Sequence, residues 1–314
     1  MKALRIQRFG EPDVFHIDEL PAPDPGPGEV RVDVRSAALG FVDIRQREGA
    51  LGGTPPFVAG FEAAGVIDRV SAGVTDYAPG DRVVAIAPGA LAERVVARVA
   101  NVHRIPDGVE DAAALALAVS GATAVLLAEH VPAGASTFVP AAAGSVGSVL
   151  VQLAGDHVLA GAGTEAKRQH ARQLGAQAVI DTSDARWPEA VRAATEGRGA
   201  NVIFVRDAES LEGSFRALAP GGKLVLFGVD LMRGVALEPG TLAALLAQNQ
   251  SLVGMASFSL PATRVAAAVH RAFELGPKLR LSLDRRAGLD AVATAHRALA
   301  ARETIGTVII ELAR

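Results

Sequence analysis

Between Thr137 and Met255, short apolar runs alternate with amphipathic stretches of helical length, and this alternation narrows the fold more than any other feature of the chain. The runs are Thr137-Phe138-Val139, Val158-Leu159-Ala160, Ala178-Val179-Ile180, Val202-Ile203-Phe204, Lys223-Leu224-Val225-Leu226-Phe227 and Leu252-Val253-Gly254-Met255. A strand that is apolar on both sides needs cover on both faces, and helices between successive parallel strands provide it. Six such strands predict a doubly wound parallel sheet. A helix is expected over Ser145 to Ala154.

The first third reads differently. Val30-Arg31-Val32-Asp33-Val34-Arg35 alternates apolar and polar residues, and Gly65 to Val70 and Asp81 to Ile86 give two further strands with Gly73 and Pro79-Gly80 at the turns. This predicts a small β-barrel with one buried and one wet face. Pro21 to Gly28 carries four prolines, so it is an ordered loop leading into a strand. After Pro261 two helices are expected, and then an edge-type strand, Gly306 to Glu311, that returns to the first domain. At 314 residues the chain exceeds one ordinary domain. The expected division is 1–121 with 258–314, and 122–257.

Composition removes several functions. The net charge is only −3 with no dense basic run, which argues against nucleic acid or an anionic membrane surface and for a small-molecule ligand. The apolar stretch Ala112 to Leu127 is broken by Ser120, Gly121 and Thr123, so no membrane segment is expected; with no secretory leader at Met1, the expected compartment is the cytoplasm. There is no cysteine, which excludes disulfides, thiolate nucleophiles and sulfur-ligated zinc. The histidines, His130 and His157 among them, show no metal-ligand spacing.

Ala141-Ala142-Ala143-Gly144-Ser145-Val146-Gly147-Ser148 follows the first parallel strand and opens a helix. Small residues there let backbone N–H groups approach a pyrophosphate, so the turn is a dinucleotide site; the alternative is a tight structural turn without ligand. In Gly161 to Arg168 no acid that would hold a ribose 2′-hydroxyl ends the second strand, whereas Thr164, Lys167 and Arg168 suit a 2′-phosphate and favour NADPH. Basic residues on a solvated helical turn are the plain alternative.

Taken with Gly60-Phe61-Glu62-Ala63-Ala64-Gly65-Val66, Pro79-Gly80-Asp81-Arg82-Val83, Leu174-Gly175-Ala176 and Ala219-Pro220-Gly221-Gly222-Lys223, these residues resemble the zinc-free quinone oxidoreductase branch of the medium-chain dehydrogenase/reductase superfamily, end to end. The resemblance implies an α/β protein with a GroES-like β-barrel domain plus a Rossmann doubly wound parallel sheet domain, a cleft between them, a homodimer, and hydride transfer from NADPH to a quinone or activated alkene. Cofactor contacts are then expected at Thr123, Ala143, Gly144, Ser145, Val146, Gly147, Thr164, Lys167 and Gly228. Zinc-dependent relatives carry Cys and His where this chain has Gly40 and Phe61, so no metal is expected. Without zinc nothing polarises an alcohol, but a conjugated carbonyl is already polarised.

Asp43 and Glu62 are the candidate catalytic acids, able to orient substrate or relay a proton, with loop hydrogen bonding as the plain alternative. Arg45 is a candidate for a substrate oxygen or for a surface ion pair. Gly40, Phe41 and Phe61 are expected to shape the substrate pocket, while Tyr77 reads as a surface turn. Two departures from the family bear on the cofactor. The stretch near Gly155 is shorter by about three residues, roughly one helical turn. Val205-Arg206-Asp207-Ala208-Glu209 also replaces an Asp and a Gly-rich turn. If these changes abolish dinucleotide binding, the scaffold serves a cyclase, isomerase or lyase, or a non-catalytic binding protein. The strand Leu252 to Met255 is expected at a sheet edge, available to pair across a two-fold axis.

Overall fold

A computed structural model describes residues 1–234, 236–237 and 239–312; the last two residues of the expected segment 258–314 lie outside these. The chain divides into two compact units, Met1–Ser120 with Ala262–Arg314, and Gly121–Pro261.

The first unit is built on β1 (Lys2–Ile6), β2 (Phe15–Glu19), β3 (Glu29–Leu39), β4 (Phe57–Val58), β5 (Glu62–Val70), β6 (Arg82–Ile86), β7 (Arg94–Arg98) and β8 (Val102–Arg104), with the seven-residue helix α1 (Phe41–Arg47) after β3. In β3 the alternating Val30, Val32 and Val34 are buried against Ile67, Val83, Ala85 and Val95, the in/out period expected of a strand with one apolar face. Its antiparallel register with β5 shifts at Arg31/Val32 and again at Val34/Ser36. Such bulges bend a long strand and let a sheet curl. The proline-rich loop is tied down by Arg31, whose guanidinium donates to both carboxylate oxygens of Asp68, to the Pro23 carbonyl at 3.1 Å and to Asp24 at 3.2 Å.

A helix runs from Asp111 to Ala128 as α2 (Asp111–Leu115), a π-helical turn (Ala116–Gly121) and α3 (Ala122–Ala128). Contrary to the sequence reading, this helix is long and apolar enough to cross a membrane by length and composition. It is 61% buried inside the protein, as a core helix is.

The second unit holds β9 (Thr137–Val139), β10 (Val158–Ala162), β11 (Ala178–Asp181), β12 (Ala200–Val205), β13 (Leu218–Leu226) and β14 (Ser251–Gly254), interleaved with α4 (Ser145–Leu153), α5 (Glu165–Gln173), α6 (Trp187–Ala194), α7 (Leu211–Ala217) and α8 (Thr241–Ala247). All pairings are parallel and the order is β11-β10-β9-β12-β13-β14. The order reverses between β9 and β12, the switch point where ligands of such sheets bind. Every residue of β10 is buried, and Phe138 stacks on Trp187 with ring centroids 5.1 Å apart. The turn between β9 and α4 is held by close packing: a Cβ on Gly147 would fall inside contact of the Ala141 carbonyl and 3.0 Å from Ala142 Cα. The last strand of this unit, β14, pairs with β13 and forms one edge of this sheet.

After α9 (Ala262–Leu275) the chain adds β15 (Leu283–Ala287), α10 (Val292–Ala300) and β16 (Thr307–Glu311) to the first unit. Here the structure corrects the sequence reading. The strand at the C-terminus is interior, between β15 and β3, with Val308, Ile309 and Ile310 fully buried; the unexpected β15 occupies the edge. β15 reads Leu-Asp-Arg-Arg-Ala, and an edge strand tolerates such charge where an interior one does not.

Candidate active site

In the second unit the expected dinucleotide turn forms at the carboxyl end of β9. Ala141 takes a left-handed φ of +48°, Ala142 N–H donates to the Gly161 carbonyl at 2.9 Å, and Gly144 caps α4 in extended geometry. These bonds aim the first amides of α4, from Ser145 through Gly147, outward from the sheet end, where a helix has donors without internal partners and a positive dipole end. Ala143 is buried beneath the turn, Val146 is half-buried on it, and Thr123 lies half-buried on α3. The shortened connection is accommodated locally: α4 ends at Leu153, and Gly155 turns the chain at φ +88°.

At the end of β10 stands Ala162, not an acid. Thr164 caps α5 by accepting the Lys167 N–H at 3.4 Å, so Thr164 and Lys167 sit together at the start of that helix. Arg168 is differently placed. Its guanidinium spans Glu165, the Ala162 carbonyl and Asp181 at the end of β11, at 2.8 Å from Asp181 Oδ2. Asp181, which carries no local signal for this role, thus withdraws Arg168 from the candidate phosphate contacts.

The turn after β12 also resolves. Arg206 and Asp207 pair at 3.3 Å with both side chains largely covered, and Asp207 Oδ1 accepts the Ser210 N–H at 3.0 Å, at the start of α7. The two charges are thereby engaged within the turn. Gly228, following the neighbouring β13, has φ +97° and lies against the Arg206 carbonyl.

The first unit brings the two candidate acids together. Glu62 opens β5 opposite Ala38, near the end of β3, and α1 starts just beyond that end. Asp43, in the first turn of α1, accepts the Gly40 N–H at 2.7 Å through Oδ2, while its Oδ1 is buried without a hydrogen bond. Gln46 fastens the two segments by accepting the Gly60 N–H at 3.1 Å. Gly60 is obligatory there, since it has φ +93° and a Cβ would meet Leu91 at 2.7 Å. Neither Gln46 nor Gly60 carries a sequence signal for this role.

Asp43 is 3% and Glu62 8% exposed. Burial pushes the Asp43 carboxyl up to about 7, against the lowering effect of the Gly40 amide. Burial first, and the nearby charge of Asp43 second, hold Glu62 well above the carboxylate range. The other candidates are neighbours of the two acids in the chain. Phe41 packs half-buried against the core of Leu4, Leu39 and Ile44, Phe61 is half-buried with its carbonyl accepting the Ala87 N–H at 2.8 Å, and Gly40 is likewise half-buried. Arg45 pairs with Glu48 one turn along α1. Tyr77 departs from its reading as a surface turn: the ring packs half-buried on the barrel core beneath Arg104, and its hydroxyl donates to the Val102 carbonyl at 2.6 Å.

The chain has no cysteine, Gly40 and Phe61 offer no ligand atom, and among the described residues no group of three or more His, Cys, Asp or Glu is placed to hold a metal.

A carboxyl raised by burial ties stability to pH. The unfolded chain ionises Asp43 near 3.8 while the folded protein keeps it neutral to about 7, so stability falls as pH rises across that window, by roughly 1.4 kcal/mol per unit or about 4 kcal/mol in all. Asp43→Asn is expected to remove this loss, leaving the variant more stable than the parent at pH 8 and little changed at pH 4 in urea unfolding. An unchanged pH dependence would show that Asp43 is not buried as described.

Comparison with known proteins agrees with both halves. Residues 26–107 match the alcohol dehydrogenase GroES-like domain and residues 145–274 the family described as zinc-binding dehydrogenase. A 2-haloacrylate reductase from a Burkholderia species is 30% identical, covering 97% of each chain. A quinone oxidoreductase from Pseudomonas aeruginosa is also 30% identical, over 98% of this chain and 99% of its own. Among solved structures, a mycobacterial protein complexed with NADPH superposes with a TM-score of 0.90 at 27% identity, covering 99% of each chain. The chain belongs to the medium-chain dehydrogenase/reductase superfamily, in its quinone oxidoreductase branch.

Proposed function

We propose that this protein is an NADPH-dependent, zinc-independent oxidoreductase that reduces an activated alkene or a quinone in the cytoplasm. The observation that carries the reading is the turn from Ala143 to Gly147 at the switch point of the parallel sheet, with no acid at the end of β10 and Thr164 and Lys167 just beyond it. The unit 122–257 is the dinucleotide-binding part, and 1–121 with 258–314 the substrate part. When bound, NADPH supplies the hydride. The amides of Ser145, Val146 and Gly147 would hold its diphosphate, with Ala143 and Gly144 leaving room for the backbone to approach; Thr164 and Lys167 would take the 2′-phosphate, and Thr123 and Gly228 are further candidate contacts. Gly40, Phe41 and Phe61 shape the substrate pocket, Arg45 can turn its fork from Glu48 to a substrate oxygen, and Asp43 and Glu62 are its acids. The reductase and quinone oxidoreductase names of the relatives support the reaction class.

A second reading, a cofactor-free isomerase, cyclase or lyase, draws on the Arg206-Asp207 turn that stands in place of small residues. Its support is narrower, because those charges are engaged with each other and with the start of α7.

Titration of the protein with NADPH and NADH, followed by calorimetry, decides between them. Saturable NADPH binding at least tenfold tighter than NADH is expected, and Lys167→Ala should weaken NADPH by about 10- to 100-fold, the worth of a charge-assisted bond, without affecting NADH. Binding of neither nucleotide would transfer the case to the second reading.

The protein also works as a homodimer in this proposal. The edge strand β14, with Leu252 exposed, lies near Leu242, Leu246 and Phe258 in the chain, which are 71%, 81% and 68% exposed. An open edge flanked by apolar side chains suits pairing with a second copy. Light scattering should give twice the 32.2 kDa chain mass, and a monomer would contradict this.

A further inference from the structure

We propose that Arg168 sets the choice between NADPH and NADH without touching the 2′-phosphate, by cancelling the charge of Asp181, an acid that stands beside the strand end where the cofactor's ribose is read. The inference rests on the NADPH reading and deepens it. That reading accounts for how a 2′-phosphate is attracted, but not for why a neighbouring carboxylate does not repel it.

The register of the parallel sheet puts the acid there. β10 and β11 pair with Ala162 opposite Asp181, and these are the last residues of the two strands, so both carboxyl ends stop level. An NAD-type site carries its acid at the end of the second strand. Here that strand is β10, which ends in Ala162, and the acid stands one strand to the side, at a spacing of about 5 Å. The loops that follow are stitched together. Thr182 N–H donates to the Ala162 carbonyl at 3.3 Å, and a Cβ on Gly163 would come to 4.0 Å from both Thr182 Oγ1 and Ser183 Cβ. Asp181 therefore adjoins the loop that leads into Thr164 and Lys167.

Arg168 is built into this junction. A single nitrogen, Nη1, donates to the Ala162 carbonyl at 3.2 Å and lies 2.8 Å from Asp181 Oδ2, so the guanidinium bridges the two strand ends. Its Nε donates to Glu165 at 3.1 Å. The Arg168 side chain is 16% exposed and that of Asp181 41%, so the acid is the accessible member of the pair and the arginine the covered one. An arriving anion meets the carboxylate.

That carboxylate is ionised. Its Oδ1 accepts the hydroxyl of Ser183 at 2.6 Å and the Ser183 N–H at 2.9 Å, and these bonds, ahead of the nearby Arg168 charge, hold its pKa below the usual range. The other charges at this end of the sheet are matched among themselves: Arg172 donates to Glu165 at 2.9 Å, and Arg186 to Asp184 at 3.1 Å. Among the described residues Arg168 is the cation paired with Asp181. Unmasked, Asp181 would repel a phosphate and accept a bond from a hydroxyl, which is how a site reads NADH. With Arg168 in place its charge is cancelled, and Thr164 and Lys167 are left to meet the phosphate.

The test is calorimetric titration with NADPH and with NADH of the parent protein, Arg168→Met, Asp181→Asn and the double variant, with circular dichroism to confirm folding. Arg168→Met should weaken NADPH by about tenfold or more, the scale of an uncompensated like charge, while NADH binds no worse than to the parent. The double variant, which removes the acid together with its mask, should return NADPH to within about threefold of the parent, a small residue on the scale of one charge. Asp181→Asn alone should bind NADPH at least as tightly as the parent. A double variant as weak toward NADPH as Arg168→Met means that Arg168 grips the phosphate itself, and overturns the proposal. So does a folded Arg168→Met with unchanged preference, whether both nucleotides bind as before or both are weakened alike. Each of these results leaves the NADPH reading standing. A parent protein that binds neither nucleotide overturns that reading and the proposal with it.

Discussion

The approach of α4 to the end of β9 depends on one missing side chain. Because Gly147 has no Cβ, the helix start can press against the Ala141 carbonyl and the Ala142 backbone, and its unpaired amides then converge at the point where the strand order reverses. A side chain there would have to push helix and strand apart, and overpacking of this kind typically costs 1–3 kcal/mol, roughly, before any effect on ligand. The same contact fixes the neighbouring features: the Ala142 N–H reaches Gly161 on β10, whose continuation carries Thr164 and Lys167. Anion-binding geometry in this unit is a consequence of how closely a helix can pack on a strand.

In the other unit the equivalent constraint is a register. Setting Ala38 opposite Glu62 places one acid beside the end of β3, and the chain needs only Gly40 and one turn of helix to bring Asp43 to it. Gln46 and Gly60 then hold the helix against the strand. Burial raises both acids, so an arrangement that lowers stability at neutral pH is kept in the fold. Strain retained at the expense of stability is a mark of functional sites, though ion-pair networks also shift pKa values.

The sequence made the parallel sheet legible because strands covered on both faces must be apolar throughout, as all five buried residues of β10 are. The barrel was legible in the alternation of Val30, Val32 and Val34. The place of β16 was not, because a buried interior strand and an apolar edge strand read alike and β15 is too polar to announce itself. For the site, the Gly144–Gly147 turn could be read locally, since its function lies in consecutive residues. The coupling of Asp43 with Glu62 could not, because it is set by pairing between strands. The roles of Asp181 toward Arg168 and of Asp207 toward Ser210 were hidden for a similar reason: each is a hydrogen bond that only the folded turn creates.

Hydride delivery is the claim on which the whole account turns, and isotope transfer reads it directly. The protein would be incubated with 2-cyclohexenone and NADPH deuterated separately on each face of nicotinamide C4, and the product analysed by mass spectrometry and NMR. One deuterium per product molecule is expected, at the β-carbon, from one face only, with solvent supplying the hydrogen at the α-carbon. Product without deuterium from either face, or turnover that proceeds without nucleotide, would contradict it.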